Sequence, residues 1–198
     1  KRWETAIKIN VIHGKTNSIN QIKIDKKNIS NFSHRLSNLT GLSIEGNKSE
    51  SNFIILFLDL DEQRNFGEKL KELMPQLTSA MIEAITSSPR TTFCSVFALS
   101  RPSNAYEYTA AIILIKSEHS RLMRKSCIHE EMAQSLGLSN DSKIARPSIF
   151  NDDEEFAFLT THDENLLKIL YDNRLKPGMN NKDALPIITK IAKELMNF

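Results

Sequence analysis

Glu130-Glu131-Met132-Ala133-Gln134-Ser135-Leu136-Gly137-Leu138-Ser139-Asn140-Asp141 closes the most informative helix that the sequence predicts. Apolar spacing predicts that helix over Arg121 to Leu136, with Gly137 as the residue that stops it. Glu130 and Gln134 stand one turn apart on it and share a face, with Glu131 beside them.

Working outward, Tyr108 to Lys116 and Thr91 to Leu99 read as strands, separated by the turn-rich Arg101-Pro102-Ser103-Asn104. Asn52 to Asp59 is apolar on both faces and reads as a central strand. Thr5 to His13 alternates as a strand and ends at Gly14, and Leu42 to Glu45 is a short one. Helical spacing predicts helices over Asn17 to Leu39, stopped by Gly41, over Asp61 to Met74, and again before Pro89. After an irregular stretch from Ser139 to Glu155, helices follow over Asp163 to Tyr171 and Asp183 to Met196.

Composition removes several function classes. With 26 Lys and Arg interspersed among 24 Asp and Glu, the chain has no electrostatic footprint for nucleic acid or a membrane surface. Its longest apolar runs, Ile54 to Leu58 and Ala110 to Ile115, are strand-sized, well below the roughly 18 residues that span a bilayer. No leader is recognisable, and an opening at Lys1 rather than Met makes that uninformative about location. Six glycines form no phosphate-cradling loop, and neither Gly-x-Ser-x-Gly nor Cys-x-x-Cys occurs. Cys94 and Cys127 are either both free and buried or paired in an oxidising compartment, and counting leaves both open.

One constellation carries chemistry. In His-Glu-x-x-His, two imidazoles one helical turn apart face a zinc ion, and the Glu polarises the attacking water. An extended form continues to a turn glycine and a third ligand three residues later. Set on that pattern, Glu130 stands at the first ligand position, Glu131 at the catalytic carboxylate and Gln134 at the second ligand. Gly137 is the turn glycine, Asn140 takes the third ligand position, and Asp141 follows it.

At these residues the chain resembles the metzincins, the matrixin-like members in particular. Ser148-Ile149-Phe150-Asn151 stands where those enzymes have a Met-containing turn, with Phe150 at the Met position. Leu159, Asp163, Leu167, Leu170 and Tyr171 match their closing helix, and Trp3 with Thr5 to Val11 matches their opening strand. More closely still, the chain is similar to a proteobacterial family classed as a domain of unknown function that includes candidate lipoproteins. The residues carrying that similarity are Cys127-Ile128-x-Glu130-Glu131-x-x-Gln134-x-Leu136-Gly137-Leu138-x-Asn140-Asp141, Ser148 to Asp152, and Leu170 to Asp172 with Leu175 and Pro177-Gly178-Met179.

The resemblance implies an α+β or α/β metzincin-like zincin fold, with a twisted, mostly parallel sheet. It implies one domain over 1–198, with an N-terminal lobe to residue 138 and a mostly irregular C-terminal lobe from 139. It further implies an exported protein, periplasmic or anchored as a lipoprotein through a lipid upstream of Lys1. Export in turn implies that Cys94 pairs with Cys127.

Zinc favours imidazole and thiolate, whereas Glu130, Gln134 and Asn140 or Asp141 offer oxygens that suit calcium, magnesium or manganese. No cofactor is therefore expected, a non-zinc divalent metal being the alternative. Without a Lewis acid, Glu131 has no activated water to deprotonate. The expectation is a non-hydrolytic, cell-envelope pseudopeptidase that binds a peptide or protein by strand addition to an edge strand, Tyr108 to Lys116. The alternatives are a hydrolase using Glu131 with a non-zinc metal or with Glu130 as a carboxylate pair, and a structural envelope component whose cleft is filled by Phe150 or the last helix.

Each residue also has a plainer reading. Glu130 and Glu131 fit a solvated helix face, and Gln134 fits a hydrogen bond to Asn140 or to backbone. Gly137 fits helix termination, and Phe150 fits core packing as well as a cleft wall. His129-Glu130 begins a zinc motif whose register fails at Ala133. His13, His34, His119 and His162 show no ligand spacing and read as surface residues, and Arg121 to Lys125 as a solvated basic face.

Overall fold

The strands bury alternate residues on the two faces of one six-stranded sheet, in a computed structural model that describes residues 1–47, 49–138, 141–151 and 155–196. The chain runs through β1 (Arg2–Trp3), β2 (Ile7–His13), α1 (Ile19–Thr40), β3 (Ile44–Gly46) and β4 (Phe53–Leu58). It continues with α2 (Leu60–Arg64), α3 (Gly67–Leu73), α4 (Ser79–Thr86), β5 (Cys94–Arg101) and β6 (Asn104–Lys116). The last elements are α5 (Arg121–Gln134), α6 (Thr161–Leu170) and α7 (Asn181–Met196). The fold is mixed α/β with a mostly parallel sheet of order β1-β6-β4-β2-β3, β5 lying antiparallel on β6.

Strand alternation explains the two cores. Phe53, Ile55 and Phe57 of β4 and Ala111, Ile113 and Ile115 of β6 face α1 and α5. Ile54, Leu56 and Leu58, with Ala110, Ile112 and Leu114, face α3 and α4 instead. A central parallel strand covered on both sides has to be apolar throughout, as β4 is. Burying each such side chain stabilises the fold by about 1.5–3 kcal/mol.

Local signals set the helix ends. Ser18 caps α1 through Gln21 N, and Gly41 ends it at φ 74°. Ser120 caps α5 through Met123 N, and Thr160 with Asp163 forms a capping box on α6.

Two strand expectations need correction. Tyr108 to Lys116 is not an edge: β6 pairs with β4 on one side and with β5 on the other. The Pro102-Ser103 turn is only two residues long, so β5 must fold back antiparallel against β6 and take the edge itself. In addition, the stretch expected as one helix from Asp61 to Met74 divides into α2 and α3 around Asn65 and Phe66.

Candidate functional site

Helix α5 runs beneath β5, and the Cys94–Cys127 disulfide joins the first residue of the strand to the helix. Cys127 precedes Glu130 and Glu131 by three and four residues, so the link lies one turn from both carboxylates. Between strand and helix lie two adjoining cavities of about 570 Å³ and 410 Å³, which share Cys94, Glu130, Glu131 and Asp141. Thr91 to Phe93, Met123, Ile149, Asn151 and Phe156 wall the larger one. The smaller extends along Val96, Ala98, Tyr108 and Gln134.

The expected site residues thus come together, apart from two. Glu130, Glu131, Gln134 and Asp141 line one cleft, and Gln134 Nε2 donates to Asp141 Oδ1 at 3.0 Å. Gln134 therefore spans to Asp141. Asn140 lies outside the described residues, as does Asp152. Phe150 does not line the cleft. It is 3% exposed, packs in the core and walls a separate hollow with Gly137 and Leu166, while its neighbours Ile149 and Asn151 face the cleft. Neither Phe150 nor α7 fills the space.

Glu131 is the unusual member. It is 5% exposed, and its Oε2 is buried without a hydrogen-bond partner. Burial, and then the negative charges of Glu130 and Asp141, push its carboxyl up to about 8. At neutral pH it is mostly a neutral acid, able to donate a hydrogen bond.

The donor set does not fit zinc. Atoms of Cys94, Glu130 and Glu131 able to hold an ion lie within 4.8 Å of one another, but the Cys94 sulfur is committed to Cys127. That leaves two carboxylates, with no imidazole among the lining residues.

The frame around the cleft is held by buried hydrogen bonds. Gly137 adopts φ 127°, and a Cβ there would meet the Lys1 carbonyl oxygen at 2.4 Å, so the position needs glycine both for its conformation and for the close approach of the Lys1 backbone. Helix termination alone does not account for it, since α5 has already ended at Gln134. Trp3 Nε1 donates to Ser135 O at 2.9 Å, and Tyr171 Oη donates to Leu136 O at 2.7 Å while accepting from Trp3 N. The Ser148–Asn151 turn is fastened by fully buried Asp163, which accepts from Ser148 Oγ at 2.5 Å and from Ile149 N at 3.1 Å.

Other titratable residues were misread from sequence. His13 is no surface residue: its Nε2 lies 3.1 Å from Asp25 Oδ2, and its ring stacks on Phe57. Arg124, within the expected solvated run, is 1% exposed and donates to Asp25 Oδ2 at 2.5 Å and to Asn17 Oδ1 at 2.8 Å. The missed signal is a charge on an apolar stripe. Asp25 falls in line with Ile22, Ile29, Phe32 and Leu36 on α1, and Arg124 with Cys127, Ile128 and Met132 on α5. His129 stacks on Phe32 and accepts from Leu159 N through Nδ1, on the side away from the cleft. Burial, with Lys125 and Arg35 nearby, lowers it to about 4. His34 and His162 are exposed, as expected.

The family described as "Protein of unknown function (DUF2927)" matches residues 1–190. The chain belongs to that family. No curated protein and no solved structure matches the chain. The DUF2927 match spans β1 through most of α7, so the cleft, the disulfide and the Ser148 turn all lie inside it. No helix among the described residues is long and apolar enough to cross a membrane.

Proposed function

We propose that the chain is a single metzincin-like domain of an exported envelope protein, and that it binds an extended peptide or protein segment without hydrolysing it. The observation that carries this reading is the outer edge of β5, which pairs with no strand among the described residues and lies above an open cleft. Phe93 O accepts from Lys116 N, so hydrogen-bonded pairing with β6 alternates through Ser95, Phe97 and Leu99. The intervening Cys94, Val96 and Ala98 then turn their N–H and C=O groups outward, along the smaller cavity. An incoming strand would complete those groups. The metzincin-like element of the proposal is supported by the antiparallel edge strand over α5, the turn at Gly137 and the Asp163-fastened turn at Ser148. The disulfide supports an oxidising compartment and hence export.

The loss of hydrolysis follows from the donor set. Glu131 keeps the position of a catalytic carboxylate, yet it stands among oxygens and is mostly protonated at neutral pH.

Val96→Pro tests the reading, because it deletes an outward N–H without touching the β5–β6 ladder. We expect peptide binding, measured by fluorescence anisotropy on a library of extended peptides, to fall at least about tenfold while unfolding is little changed. Unaltered affinity in a folded Val96→Pro protein would remove strand addition.

A second reading, hydrolysis by the Glu130–Glu131 pair, is favoured by one observation: a buried acid beside a half-buried carboxylate in an open cleft. Peptide cleavage by the parent protein, abolished in Glu131→Gln, would establish it in place of the first.

A further inference from the structure

We propose that the cleft selects a peptide carrying a lysine or arginine whose side chain enters between β5 and α5 and ends against Glu131. The inference rests on the strand-addition reading and names the chemical class of partner that this site accepts.

The side chains of an added strand alternate, so every second one would descend from the β5 edge toward α5. The space it meets is apolar at the sides and acidic at the base. Met123, Ile149 and Phe156 wall the larger cavity, while Glu130, Glu131 and Asp141 border the part it shares with the smaller one. A basic side chain has the matching profile, an aliphatic stem with a charged tip.

Among the described residues that line the two cavities there are three carboxylates, and Lys and Arg are absent. The buried, unpartnered Oε2 of Glu131 marks where the missing donor belongs, since a buried polar oxygen normally has one. Burial and the neighbouring negative charges push the Glu131 carboxyl up, and an arriving ammonium or guanidinium would reverse that push.

A bare divalent cation is the competing occupant. It is disfavoured because the potential ligand group among the described residues includes the disulfide-bonded Cys94 sulfur, which leaves two carboxylates, fewer protein oxygens than calcium takes.

The test compares three extended peptides that differ at one central residue, Lys, norleucine or Glu, on the full chain and on Glu131→Gln and Val96→Pro. We expect the Lys peptide to bind about tenfold or more tightly than the norleucine peptide, with the Glu peptide weakest. In Glu131→Gln the Lys-to-norleucine ratio should fall toward one, and in Val96→Pro all the peptides should weaken together. Equal affinities for Lys and norleucine peptides, both lost in Val96→Pro, would overturn the basic-residue inference and leave strand addition standing. Absence of binding by every peptide would instead overturn strand addition. Competitive displacement of the Lys peptide by micromolar calcium or manganese, lost in Glu131→Gln, would assign the site to a metal and overturn the inference.

Discussion

Among the carboxylates buried on the α1–α5 side of the sheet, Asp25 and Glu131 have opposite electrostatic fates. Asp25 is fully buried, which pushes its carboxyl up, but hydrogen bonds from His13, Arg124 and Gln21 outweigh this and hold it below its usual range. Glu131, about two turns further along α5 from Arg124, is nearly as buried and has an oxygen with no partner. One group is built into the fold, while the other waits in a cleft. A buried charge is tolerated structurally when donors are supplied with it, and a carboxyl buried without them is a candidate for function.

The largest effect is expected from breaking the compensated site. Arg124→Met would leave Asp25 buried with only His13 and Gln21 and should destabilise the protein by about 3–5 kcal/mol in urea unfolding. A loss below about 1 kcal/mol would mean that the pair contributes little. Removing the cleft's tether comes next. Cys94 and Cys127 are 33 residues apart, and replacing both by Ala should cost about 2–4 kcal/mol through the freer unfolded chain, readable as a lowered urea midpoint.

The uncompensated site should respond to pH in the opposite sense from Asp25. The Glu131 carboxyl is raised when folded, from an ordinary 4.5 to about 8. Its contribution is thus fully present below pH 4.5 and is lost as pH rises toward 8. His129, lowered to about 4, contributes above pH 6.5 and loses that contribution as pH falls toward 4. Between pH 4.5 and 6.5 the two trends oppose each other, so the decline due to Glu131 should emerge from about pH 6.5 to 8. Glu131→Gln should flatten that decline, which in the parent amounts to about 2 kcal/mol between pH 6.5 and 8. Parallel stability profiles for the two proteins would refute the buried-acid assignment. The smallest effect belongs to Asp141→Asn. Its charge is the last of the causes raising Glu131, so the Glu131 midpoint, followed by carboxyl ¹³C NMR, should drop by less than about one pH unit.

Much of this comparison was legible in the chain. Period-two alternation located β2, a continuous apolar run located β4, and the helical stripe with Gly41 located α1 to within a residue or two. The i, i+4 spacing of Glu130 and Gln134 put both on the cleft side, and Gly137 marked the turn. The edge strand was misread because the edge is defined by what does not pair, and β6 owes its second partner to a two-residue turn. Phe150 was doubtful for a related reason: adjacent residues of an irregular turn face different ways, which no period reveals. Arg124 and Asp25 each carried a local signal, a charge on an apolar stripe, but their 99-residue separation hid that the two anomalies answer each other.

The sequence by itself determined most of the strands and helices, which face of α5 carries Glu130 and Gln134, and where the chain turns at Gly137. These follow from local periodicity and backbone stereochemistry, which neighbouring residues dictate. Only the tertiary structure decided that β5 is the edge, that Asp25 is compensated and that Glu131 is a buried acid. Desolvation and long-range pairing depend on which distant groups pack around a carboxyl, and the spacing of residues along the chain does not encode that.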